Sequence, residues 1–135
     1  MTRTSRVLGI VVSILSLLVP SVGVGQEMVR TISPEDLYEQ HQSGPAPLVL
    51  DVRTPEEFRL GHIPGAVNIP HTELGSRIGE VQQSQAVVLY CMLGPRARLG
   101  EKTLLDAGVE NVFHLDGGLH AWQQAGFPVE TAGAE

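Results

Sequence analysis

Three short runs rich in apolar residues, at residues 48–52, 86–90 and 111–115, carry Asp51, Cys91 and Asp116 at their carboxyl ends, and each gives way to a helical pattern. Ala86-Val87-Val88-Leu89-Tyr90 has no polar alternation and reads as a strand buried on both faces, and Leu48-Val49-Leu50-Asp51-Val52 reads as a buried strand ending in polar groups. Buried parallel strands need crossover connections, and helices supply them. The repeated order of strand and helix therefore calls for an α/β fold, an open and mainly parallel β-sheet flanked by helices on both faces. In such a sheet a ligand lies beyond the carboxyl ends of the strands. Asp51, Cys91 and Asp116 share that rim, which makes it the candidate site.

The remaining elements follow from capping chemistry. Residues 28–32 read as a weak strand, after which Ser33 as N-cap and Pro34 at N1 start a helix that stops before Gly44-Pro45. Thr54-Pro55-Glu56-Glu57 repeats the cap, the proline and the capping box for a short helix ending near Gly61. Residues 66–69 form a third brief strand, and Leu74, Ile78 and Val81 fall at helical spacing across residues 72–82. Arg96 to Ala107 reads as a helix whose inward stripe is Leu99, Leu104 and Leu105, with Gly108 past its end. Gly117-Gly118 then leads into a short helix carrying Leu119 and Trp122, the latter read as core.

The loop Cys91-Met92-Leu93-Gly94-Pro95 faces a helix N-terminus. Unpaired N–H groups and the positive end of the helix dipole favour an anion there and lower the pKa of a thiol. Cys91 is thus a candidate thiolate. Against this stands the reading of a lone cysteine at a strand end as a small inert hydrophobe. Gly94 and Arg96 favour the reactive reading, since the glycine permits a tight turn and the arginine can bind an anion.

Composition removes several other functions. The chain has 135 residues, enough for one core, and a net charge of −6 with the acids scattered. No basic stripe interleaves with aromatics, so no nucleic-acid partner is expected. One cysteine excludes an internal disulfide and any multi-cysteine zinc or iron–sulfur site. His41, His71, His114 and His120 are widely spaced and show no ligand pattern, so neither a metal nor a cofactor is expected.

Residues 1–25 read as an export signal. Arg3 and Arg6 precede an apolar run from Val7 to Val19, Pro20 breaks it, and Gly23 and Gly25 take the −3 and −1 positions of a cut before Gln26. The run is shorter than the about 20 apolar residues of a membrane span, although an uncleaved anchor is the alternative. Residues 26–135 would then be one exported domain, periplasmic or secreted and without a membrane span. Loss of two arginines and no acid would take its charge from −6 to −8.

Asp51-Val52-Arg53, Glu57-Phe58, Gly61-His62-Ile63-Pro64-Gly65-Ala66-Val67-Asn68-Ile69-Pro70, the cysteine loop, and Leu115-Asp116-Gly117-Gly118 with Trp122 and Gly126-Phe127-Pro128-Val129 together resemble a rhodanese domain. The likeness spans about residues 29–130, and five segments in order are far more specific than the loop alone. It is closest in kind to the exported rhodaneses with a single catalytic domain.

The resemblance implies a sulfurtransferase in which a Cys91 thiolate takes the outer sulfur of thiosulfate or a persulfide, holds it as a Cys91 persulfide, and yields it to a thiophilic acceptor. Cyanide serves as test acceptor in the family. A thiol such as glutathione, or the cysteine of a partner protein, is the natural one implied. Backbone amides of Met92, Leu93, Gly94, Arg96 and Ala97 would ring the sulfur, and the Arg96 side chain would pair with an anionic donor. Asp51 and Arg53 would brace the loop and pair with an acid such as Glu57, while His62 would hydrogen-bond backbone. Related cysteine phosphatases carry five residues between cysteine and arginine, which fits a phosphate; here four intervene, which speaks against a phosphatase. Met92 and Leu93 stand where charged or small polar residues are common in thiosulfate users, which favours a less polar donor or acceptor. The alternative from another class is a non-catalytic rhodanese-fold module that carries sulfur or binds a partner; the intact Cys91 favours the enzyme.

Overall fold

The computed structural model describes residues 29–132. The export signal read at residues 1–25 lies outside the described residues. Five strands form one parallel sheet, β1 (Arg30–Ile32), β2 (Leu48–Asp51), β3 (Val67–Asn68), β4 (Val87–Tyr90) and β5 (Val112–Leu115), in the order β1-β5-β4-β2-β3. The helices are α1 (Pro34–Ser43), α2 (Pro55–Leu60), α3 (Pro95–Asp106) and α4 (Gly118–Gln124). Among the described residues no helix is long and apolar enough to cross a membrane.

The central strands bury both faces, as their continuous apolar sequence requires. Leu50, Val52 and Leu89 pack with Ala97 and Leu104 of α3, while Val49, Val88 and Tyr90 pack with Leu37 of α1 and Leu119 and Trp122 of α4. Alternate residues of one strand thus serve two separate cores. Trp122 is core, as expected, and its indole N–H donates to the Pro128 carbonyl at 2.8 Å. The caps form as written in the sequence: Ser33 accepts from the Asp36 amide, and Thr54 and Glu57 close the reciprocal capping box of α2. Gly108 follows α3 with φ +79°, the left-handed geometry of a C′ glycine.

Two expectations are corrected. The helical spacing at residues 72–82 yields no α-helix but two short 3-10 turns, Leu74–Ser76 and Ile78–Glu80. Gly75 and Gly79 interrupt that stretch and weaken any continuous helix, so Leu74 and Val81 reach the core from separate turns. On α3, Leu99 is 57% exposed, and the inward stripe is Ala97, Gly100, Glu101 and Leu104. The helix approaches the sheet so closely at Gly100 that a Cβ there would meet Leu89 at 3.0 Å. That contact sets the rotation of α3 and turns Leu99 outward.

Leu104→Ala should therefore lower unfolding free energy by about 2–5 kcal/mol, as large-to-small core changes do. Leu99→Ala should change it by less than about 0.5 kcal/mol. Urea denaturation of both variants checks the rotation of α3.

Candidate active site

At the rim, α3 begins directly from the Cys91 loop, and its first turn leaves amides without helical partners. Cys91 follows β4, retains 1% of its surface, and accepts a hydrogen bond at Sγ from the Gly94 amide at 3.0 Å. Of the five loop amides expected to ring the sulfur, that of Gly94 is the one bonded to it. Gly94 has φ +147°, a backbone conformation that strains any side-chain-bearing residue. Met92 is half-buried, Leu93, in the same loop, is 63% exposed, and Ala97 is buried in the first turn of α3.

A second helix closes the loop from the other side. The amides of Leu119 and His120 in α4 donate to the carbonyls of Cys91 and Met92 at 2.9 and 3.0 Å. Gly118 makes this approach feasible, because a Cβ there would lie 2.6 Å from both carbonyl oxygens. The sequence shows the glycine pair but not its purpose, since only the fold brings residue 118 against residue 91. The first turns of two helices converge on one tetrapeptide, Cys91 to Gly94.

Arg96 meets Glu57 in a fork, with Nη1 to Oε2 at 2.7 Å and Nη2 to Oε1 at 2.9 Å. Glu57 therefore serves α2 as its capping-box acid and α3 as an ion-pair partner. The Arg96 hydrogen bonds are the main reason its carboxyl is held down at about 2, well below the usual 4.5; partial burial opposes them and the Thr54 amide and hydroxyl assist. This corrects the expected pairing of Glu57 with Asp51 and Arg53. Those two residues pair with one another instead: Arg53 Nη2 reaches Asp51 Oδ2 at 2.7 Å and the Gly61 carbonyl at 2.7 Å, and the Arg53 amide reaches Asp51 Oδ1 at 2.9 Å. Both side chains are buried. They tie the end of β2 to the end of α2, and so fix the helix that carries Glu57.

Tyr90, immediately before the cysteine, is buried with its hydroxyl accepting from the Ile63 amide at 3.1 Å. Burial, then the nearby charge of Asp51, pushes its phenol upward, so it stays protonated. His62 stacks on Phe58 and bonds its carbonyl through Nδ1 at 2.8 Å, a structural role. Asp116 follows β5 on the same rim but is exposed. His114 is not the isolated histidine its spacing suggests: it is buried on β5 and paired with Glu101 of α3.

An α/β protein with a parallel sheet, and a cysteine seated in a loop between two helix N-termini at the carboxyl rim, is what fold and site define. The chain belongs to the rhodanese-like domain family, which it matches over residues 33–125. It is 39% identical over 105 residues to an uncharacterised protein of Synechocystis, covering 77% of this chain and 58% of that one. It thus spans little more than half the length of that relative. A sulfurtransferase of Allochromatium vinosum is 33% identical over 102 residues, covering 76% of this chain and 95% of the relative. Among solved structures, a rhodanese-related protein of Thermoplasma volcanium superposes with a TM-score of 0.68 at 31% identity over 76% of this chain and 99% of that one. A thiosulfate sulfurtransferase of Pseudomonas aeruginosa gives 0.70 at 30% identity over 79% of this chain and 20% of its own.

The Glu57–Arg96 fork carries a pH signature. A carboxyl lowered from 4.5 to about 2 adds stability that is complete above pH 4.5 and is lost as the pH falls through about 2. Glu57→Gln should therefore be less stable than wild type by a constant margin above pH 4.5, and the margin should shrink between 4.5 and 2. Urea midpoints across that range measure it.

Proposed function

We propose that the chain is a sulfurtransferase that works through a persulfide on Cys91. The observation that carries this reading is the Gly94 amide aimed at Cys91 Sγ at the N-terminus of α3. Burial in apolar surroundings alone makes a thiol inert, whereas an amide donor and a helix dipole favour its anion. The thiolate attacks the outer sulfur of a donor. With thiosulfate, the new bond joins Sγ to that sulfur while the bond to the sulfonate sulfur breaks and sulfite leaves with its electron pair. A persulfide donor, R–S–SH, leaves as the thiolate. In the second half the acceptor attacks the terminal sulfur and the Cys91 thiolate departs, giving thiocyanate from cyanide or a new persulfide from a thiol. No net oxidant is needed, because the sulfane sulfur keeps its oxidation state.

Arg96 offers an anionic donor a charged fork whose two terminal nitrogens already engage Glu57. Three of its five N–H groups stay available for a donor oxygen. The exposed Leu93 supplies an apolar contact to a thiol or to a partner protein's cysteine. Residues 1–25 are proposed to direct export, so that the domain works outside the cytoplasm; the mass of the protein recovered from cell fractions tests cleavage before Gln26.

Incubated with thiosulfate or a glutathione persulfide, the purified protein should gain the mass of one sulfur, and Cys91→Ser should gain none. Absence of that gain with every donor would replace the enzyme by the partner-binding module. Arg96→Ala should slow loading from thiosulfate by about tenfold, a loss in line with about 1.4 kcal/mol for one charged hydrogen bond, and slow loading from a neutral persulfide less. Equal losses would remove Arg96 from donor binding.

A further inference from the structure

Behind the cysteine loop lies a pair of ionisable side chains that the proposed chemistry does not use. Glu101 projects from the buried stripe of α3 and His114 from the facing side of β5, and Oε1 of Glu101 is hydrogen-bonded to Nδ1 of His114. Their side chains are 1% and 6% exposed. The other carboxylate oxygen takes Nη1 of Arg98 at 3.4 Å. Burying a carboxylate and an imidazole is costly unless they satisfy one another. Apolar side chains of the same volume often serve stability as well as a buried polar pair does, so the pair is better explained by what it fixes.

The ring's far edge faces the site. A Cβ on Gly94 would stand 3.5 Å from His114 Nε2 and 3.6 Å from Cε1. Gly94 is the residue whose amide holds Cys91 Sγ. An imidazole has a soft, two-fold ring torsion, and a carboxylate on Nδ1 selects one of the two orientations. That orientation sets Nε2 and Cε1 against the turn. Leu89 of β4 stands in register with His114, so β5 and β4 hold the ring and the loop to a common reference.

We propose that Glu101 and His114 are a positioning pair for Cys91: Glu101 locks the imidazole, the imidazole backs the Gly94 turn, and the turn aims its amide at Sγ. The consequence for sulfur transfer rests on the persulfide reading. The reactivity of the thiol itself does not.

The test is the rate at which iodoacetamide alkylates Cys91 at fixed pH, followed by intact mass and normalised to the folded fraction from circular dichroism. Glu101→Ala and His114→Asn should slow it by at least about fivefold, since small displacements of a reacting group cost up to about a hundredfold. Glu101→Gln, which keeps an acceptor for the ring N–H, should recover most of the rate. In turnover with thiosulfate and cyanide, kcat should fall by a similar factor while KM for thiosulfate holds, because the pair acts through Gly94. A wild-type alkylation rate in folded variants overturns the proposal, whatever happens to sulfur transfer. Slowed alkylation in a protein that never takes up sulfur upholds the pair and overturns the persulfide reading instead. Should the single variants fail to fold, Glu101→Leu/His114→Phe removes both polar partners together and leaves no buried group unpaired. The same slowing is expected of it, and an unchanged rate would be fatal to the idea.

Discussion

Asp51 and Arg53 are opposite charges held almost wholly out of water, and the placement of the site depends on them. Such a pair contributes little net stability, because desolvation offsets most of its attraction. Its effect is geometric. The guanidinium joins the end of β2 to the carbonyl of Gly61 at the end of α2, and the Asp51 carbonyl accepts from the amides of Ile69 and Asn68 Nδ2 that lead out of β3. Three connections at the carboxyl rim are thereby fixed to one another. Removing either charge would leave the other buried and unpaired, so the pair stands or falls as a unit.

From that brace the order passes outward to the cysteine. Once α2 is fixed, Glu57 is fixed by its capping box, and the fork from Glu57 holds Arg96 in the first turn of α3. The loop between β4 and α3 is then held at three places: Arg96 at its end, the Gly94 amide on Sγ in its middle, and the two α4 amides on the carbonyls of Cys91 and Met92 at its start. Each contact takes a different backbone or side-chain group, so none competes with another. A loop with so many constraints holds its dipoles in place, which under the sulfurtransferase reading is the condition in which they stabilise a developing charge most.

The strands, the caps and the rim position of Cys91 were legible in the sequence because each is local. Apolar runs, Ser33-Pro34, Thr54-Pro55 and the glycine after α3 act within a few residues of themselves. What escaped was set by packing between distant segments. Leu99 fits a helical stripe as well as Ala97 does, and only the contact of Gly100 with Leu89 decides which face turns inward. Glu57 was visible as a capping acid, but its bond to Arg96 spans 39 residues. Glu101 and His114 look like one surface charge and one stray histidine until the sheet register and the face of α3 are known. The use of Gly118 is similar: a helix-start glycine in sequence, a close backbone approach in the fold.

The Glu57–Arg96 fork also bears on which donor the site would favour under the sulfurtransferase reading. An arginine alone at the rim of an acidic chain would be its chief attraction for a dianion such as thiosulfate. Here a carboxylate held ionised far below neutral pH cancels most of that charge at close range. What Arg96 retains is direction, in the N–H groups that Glu57 leaves unused. A donor with one acceptor atom to place against them, and an apolar body to lay on Leu93, gains from both features and does not need the lost charge. A small dianion gains from only one, and it approaches against the net negative charge of the chain. On these grounds organic persulfides fit the rim better than thiosulfate, even though the cysteine loop beneath it would accept sulfur from either.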